Sequence, residues 1–241
     1  MSRQQKPNFI IIGAMKAATT SLYTYLKQHP DVFMTTIKEP MFFNNFQKKN
    51  NFKVAGRTTK KITTFEEYYP LFDAVKNEKA IGEASPSYIS NKNCPSLIKQ
   101  HLPDSKIIAV LRQPVARAYS NFLHARMADR EPIADFETAF NNEAERKAEN
   151  WSPLYHYKDK GYYAEQLERY FTLFPKENIK VLLFEDLVEN PIKTTQEVFK
   201  FLNIDKSFIP ETSKKVNVSG TPNGLFIMKL RYYNLIPNIR F

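Results

Sequence analysis

Apolar residues fall along the chain in two alternating rhythms. Short unbroken runs, FIIIG over 9–13, AIGEA over 80–84, IIAVL over 107–111 and IKVLLF over 179–184, have the composition of strands. Between them apolar residues recur at helical spacing, with Leu22, Tyr25 and Leu26 marking a helix over 19–28. Further helices are predicted over 65–72, 96–102, 133–147, 162–174 and 191–202, and another opens at Pro114 with Val115, Ala118, Tyr119 and Phe122 on one side. A lysine-rich stretch over 44–64 lacks periodicity and reads as a surface excursion. Alternating strands and helices predict an α/β fold, a central parallel sheet flanked by helices in three layers. No repeat and no linker divides the chain, so residues 1–241 are expected to form one domain.

Composition narrows the chemistry more than the fold. With 241 residues, 42% of them hydrophobic, the chain has enough apolar surface for a full core. No apolar run reaches the roughly eighteen residues of a spanning helix, and MSRQQKPN carries no signal-peptide pattern, so a cytoplasmic protein is expected. One cysteine, Cys94, excludes an intrachain disulfide, and four scattered histidines leave no metal-ligand spacing. A net charge of +10 draws anions without choosing among nucleic acid, acidic lipid, sugar polyanion and phosphorylated nucleotide.

The position of the cations makes that choice. GAMKAATTSL follows the first strand and opens a helix, the junction at which open parallel sheets bind anions. In the register of an ATP loop, G-x-x-x-x-G-K-[ST], the signature positions hold Gly13, Ala18, Thr19 and Thr20, so the second glycine and the lysine are missing. Lys16 sits inside the loop instead, placed to fold over an anion held by residues 17–21. The strand IIAVLR ends in Arg112 where a nucleoside triphosphatase would place a magnesium-binding aspartate. A guanidinium there suits a second phosphate, and Ser120 on the following helix is spaced to add a hydroxyl.

Taken together, these stretches resemble the sulfotransferases that use 3′-phosphoadenosine 5′-phosphosulfate, of the type shared by bacterial enzymes and the heparan sulfate sulfotransferases. The resemblance is carried in order by GAMKAATTSLYTYLKQHPDV, KEPMFF, GEASPSY, VLRQPVARAYSNF, GYYAEQLERYFTLFP and VLLFEDL. It implies a P-loop-like fold in which Lys16, Ala17, Ala18, Thr19, Thr20 and Ser21 hold the 5′-phosphosulfate. Arg112 and Ser120 would hold the 3′-phosphate, and Ser219 and Gly220 in KKVNVSGTPNG would close over the nucleotide, helped by Lys214 or Lys215. It further implies metal-independent transfer, with Glu39 of KEPMFF as base and Lys16 neutralising the departing phosphate.

Pro40 is expected to hold Glu39 extended. His101 and His124 are alternative bases by analogy with the small-molecule branch, and each reads as a surface or half-buried histidine. Glu83 is expected behind the site or facing the acceptor, and Trp151, Tyr162 and Tyr163 are candidates to stack on adenine. Ala84 replaces a lysine found in several heparan sulfate enzymes, and Ala17 and Ala18 replace loop glycines, which requires both to keep negative φ. The acceptor implied is a sugar or small-molecule hydroxyl with no nucleic-acid partner, and the basic-apolar tail over 205–241 offers peripheral membrane contact. The rival readings are a nucleotide kinase with a degenerate loop and a basic module binding nucleic acid or membrane.

Overall fold

The computed structural model describes residues 5–46 and 61–213. Five strands form one parallel sheet in the order β2-β3-β1-β4-β5, namely β1 (Phe9–Gly13), β2 (Val32–Met34), β3 (Ala80–Ala84), β4 (Lys106–Leu111) and β5 (Ile179–Leu183). β1 and β3 are buried at every residue, which explains why they read as continuous apolar runs. β5 lies at an edge and leaves Val181 and Leu183 exposed.

Among the described residues ten α-helices connect or follow the strands: α1 (Thr19–Leu26), α2 (Phe42–Asn45), α3 (Phe65–Tyr68), α4 (Cys94–His101), α5 (Pro114–Met127), α6 (Phe136–Asn141), α7 (Glu143–Ala148), α8 (Tyr163–Leu173), and, after β5, α9 (Phe184–Glu189) and α10 (Pro191–Leu202). From β1 the chain runs through α1 to one side of the sheet, and from β3 it runs through α4 to the other. Right-handed crossovers then place α1 and α4 on opposite faces. α10 packs with α1 and α8 packs with α4, so helices cover both faces. One core runs through both layers, and a smaller cluster of Ala118, Phe122, Ala139 and Tyr157 packs α5 against α6 and the 153–161 segment.

The predicted elements reappear with local differences, among them a helix expected over 65–72 that is α-helical only to Tyr68 and continues as a 3-10 turn to Phe72. The helix expected over 133–147 is broken at Asn142, which closes α6 and opens α7. β2, α2 and α9 were not expected, because segments of three to six residues are too short to show a period. The remainder of the 44–64 excursion, over 47–60, lies outside the described residues.

The direction of chain travel reverses between β1 and β4. That reversal opens a crevice beyond their C-terminal ends, the usual ligand position in such sheets.

Candidate active site

Gly13 ends β1 against the segment that follows β3. A Cβ at Gly13 would come within 2.4 Å of Ile89 Cγ2, so the close approach requires glycine. The loop beyond it turns back through a 3.2 Å bond from Ala17 N–H to Ala14 O. Lys16 and Ala18 hold φ of 67° and 59°, both left-handed. The expectation that both alanines keep negative φ therefore fails at Ala18 and holds at Ala17. A left-handed N-cap at Ala18 turns the chain abruptly into α1.

The first intrahelical bond runs from Leu22 N–H to Ala18 O, and no side chain caps the helix. The amides of Thr19, Thr20 and Ser21 thus precede the first intrahelical donor, Leu22 N–H, an arrangement suited to an anion.

β4 delivers Arg112 to the same loop. Its Nη1 donates to Lys16 O at 3.1 Å, and its guanidinium lies 4.3 Å over the ring of Phe184 at the start of α9. Tyr163 OH donates to Arg112 O at 2.9 Å, which uses the hydroxyl of that tyrosine to fix the strand end. Arg112 Nε is buried without a partner, as is Ser120 Oγ on α5. An unpartnered, buried guanidinium nitrogen on a residue bonded to the loop is suited to an anion, and Ser120 Oγ is a second buried polar atom without a partner. The Lys16 ammonium is pushed below its ordinary pKa first by burial, then by Arg112, with Lys38 adding to the lowering and Glu39 opposing it.

Glu39 reaches the site from the loop between β2 and α2. Its φ is 60°, so the extended backbone expected before Pro40 is not what forms. Tertiary bonds override the local preference: Glu39 N–H donates to Ala84 O at 3.1 Å and Met41 N–H to Ser85 Oγ at 3.0 Å. Lys38 Nζ meets Glu39 Oε1 at 2.5 Å.

Behind this loop Glu83 is wholly buried. Its carboxylate accepts from Ser85 Oγ at 2.7 Å, Tyr88 OH at 2.9 Å and Tyr68 OH at 3.0 Å. Burial pushes its pKa up to about 7 against those three donors. Glu83 is therefore a support beneath the site, with no surface facing an acceptor.

The histidines separate. His101 packs edge-on against Phe46 and tilted against Phe65, at ring distances of 5.5 and 4.6 Å, away from this cluster. His124 keeps solvent access, yet its pKa is lowered by desolvation and by the charges of Lys16 and Arg130, with Glu39 acting in the opposite sense. It thus belongs to the electrostatic neighbourhood of Lys16 and Glu39, which its sequence position on α5 did not disclose.

Trp151 packs within its own segment. Its ring is covered by Arg146 at 5.3 Å and by the edge of Tyr155 at 5.0 Å. Ser219 and Gly220, with Lys214 and Lys215, lie outside the described residues, as does most of the 205–241 tail. Among the described residues no helix is long and apolar enough to cross a membrane, and no group of three or more acidic, histidine or cysteine residues is arranged for a metal.

Comparison with known proteins gives this geometry a context. A family profile described as "Sulfotransferase domain" matches residues 6–218. The crystal structure of a sulfotransferase from Alicyclobacillus acidocaldarius is 35% identical and superposes with a TM-score of 0.82, covering 88% of this chain and 87% of that one. Mouse heparan sulfate glucosamine 3-O-sulfotransferase 3B1 is 29% identical over 92% of this chain and 55% of its own length. The fold alone is shared with a mouse sulfotransferase complexed with PAP, at 14% identity and a TM-score of 0.55 over 83% of this chain and 60% of that one. The chain spans 22% to 55% of the length of the curated relatives it matches.

Proposed function

The chain belongs to the sulfotransferase family, and from that premise we propose that it moves a sulfuryl group from 3′-phosphoadenosine 5′-phosphosulfate to the hydroxyl of a sugar, alcohol or phenol. One observation carries the reading: the ends of β1 and β4 bring Lys16 and Arg112 together at an uncapped helix start, with Glu39 close enough to act on the Lys16 charge. The PAP held by the mouse neighbour of the same fold supports the choice of donor.

Lys16 and the backbone and hydroxyls over 17–21 would hold the 5′ end of the donor. Arg112 Nε and Ser120 Oγ, both buried and unpartnered, fit a 3′-phosphate. When bound, the donor supplies a sulfuryl group whose S–O bond to phosphate breaks as the acceptor oxygen forms a new one. Glu39 takes the acceptor's hydroxyl proton, since that hydroxyl is a poor nucleophile until it loses it. To do so it exchanges the Lys38 contact for the acceptor. Lys16 meets the negative charge that builds on the leaving oxygen, and its burial strengthens that interaction. This division of labour assigns the transfer no metal.

The whole chain, 1–241, is read as one such domain. We further propose a cytoplasmic location.

Glu39→Gln tests the role of the base. Turnover is expected to fall by about a hundredfold or more, with affinity for 3′-phosphoadenosine 5′-phosphate unchanged. Turnover equal to wild type would assign proton removal to another group, with His124 the first to examine.

A further inference from the structure

A cleft of about 340 Å³ opens between the 153–162 segment, α8 and the approach to α4. Lys92, His156, Lys160, Gln166 and Arg169 line it, whereas Lys16, Glu39, Arg112 and Ser120 do not. Its lining carboxylates leave the cations in excess: Asp159 is already paired with Lys147, and Glu165 is exposed to solvent.

Lys160 is the unusual member. It is only 6% exposed, and the one contact described for its ammonium is Met15 Sδ at 3.4 Å. Nearby Glu143 attracts it without bonding to it, because that carboxylate accepts from the amides of Lys158 and Asp159 and pairs with Lys147. The buried Arg117 guanidinium opposes it. A buried ammonium held by a thioether is costly unless an anion joins it.

Three further lining residues have buried polar atoms without a partner: His156 Nε2, Gln166 Oε1 and Arg169 Nε. Gln166 is itself only 4% exposed. His156 and Arg169 can donate to an oxyanion, and Gln166 Oε1 can accept from a hydroxyl carried beside it.

We propose that this cleft is a second oxyanion site, taking a sulfate, phosphate or carboxylate group, either free or as a substituent on a hydroxyl-bearing molecule such as a sugar. It is distinct from the Lys16–Arg112 site but touches it through Met15, the residue before Lys16. Occupancy would complete the buried charge of Lys160 and steady the loop from below.

Histidine ring signals in NMR read the two sites separately, because His156 lines the cleft and His124 neighbours Lys16. Inorganic sulfate and glucose 6-sulfate are titrated into the full chain, and each is expected to shift the His156 signals saturably. The affinity read there should fall about tenfold or more in Lys160→Met and in Arg169→Met, and stay unchanged in Arg112→Ala. Tighter binding of glucose 6-sulfate would identify a substituent, and equal or tighter binding of sulfate a free anion. If Lys160→Met does not fold, Arg169→Met decides alone. No shift at His156 with either probe, shifts that survive in every cleft variant that folds, or shifts lost with Arg112 would overturn the site without bearing on the transfer reaction.

Discussion

Lys16, Ala18 and Glu39 hold φ of 67°, 59° and 60° without being glycine. A left-handed conformation costs an L-residue about 1–2 kcal/mol, and such strain gathers where a loop must present groups to a ligand. At Ala18 it turns the chain abruptly into α1, and its methyl is only partly buried against the core, so glycine relieves more strain than the packing it gives up. Ala18→Gly is therefore expected to raise stability by about 1 kcal/mol in chemical denaturation, with nucleotide affinity unchanged; a loss of stability would show that the alanine methyl packs usefully. Residue-scale sequence reading found Lys16, Arg112 and Glu39 because their motifs are local. It missed the left-handed backbone at Ala18 and Glu39 because hydrogen bonds from distant residues impose it. His124 was named only as an alternative base by analogy, and its electrostatic coupling to Lys16 and Glu39 was illegible for the same reason, since only the fold brings them together.

At the scale of elements, the loop that carries Glu39, the proposed base, is held by its bonds to the end of β3. Glu83 fixes Ser85, Ser85 Oγ receives Met41 N–H, Ala84 O receives Glu39 N–H, and Tyr88 OH receives Phe43 N–H. Glu83→Ala is expected to lower kcat by up to about a hundredfold through displacement of Glu39, while 3′-phosphoadenosine 5′-phosphate still binds. Equal losses in kcat and in nucleotide affinity would indicate general collapse.

Glu83 also leaves a pH signature. Its folded pKa is raised to about 7 from the ordinary 4.5, so the folded state binds more protons across that window and stability falls as pH rises through it, levelling above about 7. Glu83→Gln should remove that fall in thermal melts taken from pH 4.5 to 7, and an unchanged profile would contradict the burial of an ionisable carboxyl. The strand over 80–84 was legible in sequence, but its task was not: GEASPSY reads as a turn until α2, too short for any period, is seen to dock on it.

For the whole molecule, strand order decides function more than surface charge does. The net charge of +10 permits many anionic partners, yet the fold gathers chosen cations at the reversal between β1 and β4 and a second group in the cleft around Lys160. The three layers were readable because buried parallel strands are uniformly apolar; the partnering of β4 with β1 instead of β3 was not, since periodicity says nothing about neighbours. The buried Lys160 carries a global consequence. Its pKa is lowered to about 7 from 10.5, so the unfolded chain binds more protons between those values and stability rises with pH across them. Lys160→Met should flatten that rise in chemical denaturation between pH 7 and 10, and a persistent slope would mean that the ammonium is better solvated than its burial implies.

In the proposed reaction the ends of β1 and β4 form one site for a nucleotide with phosphates at both its 3′ and 5′ positions. Calorimetric titration of wild type and Arg112→Ala, each with 3′-phosphoadenosine 5′-phosphate and with adenosine 5′-phosphate, tests it most directly. Wild type should favour the doubly phosphorylated ligand by about a hundredfold, and Arg112→Ala should lose most of that preference while binding adenosine 5′-phosphate nearly as before. Equal losses for both ligands, or no preference in wild type, would contradict it.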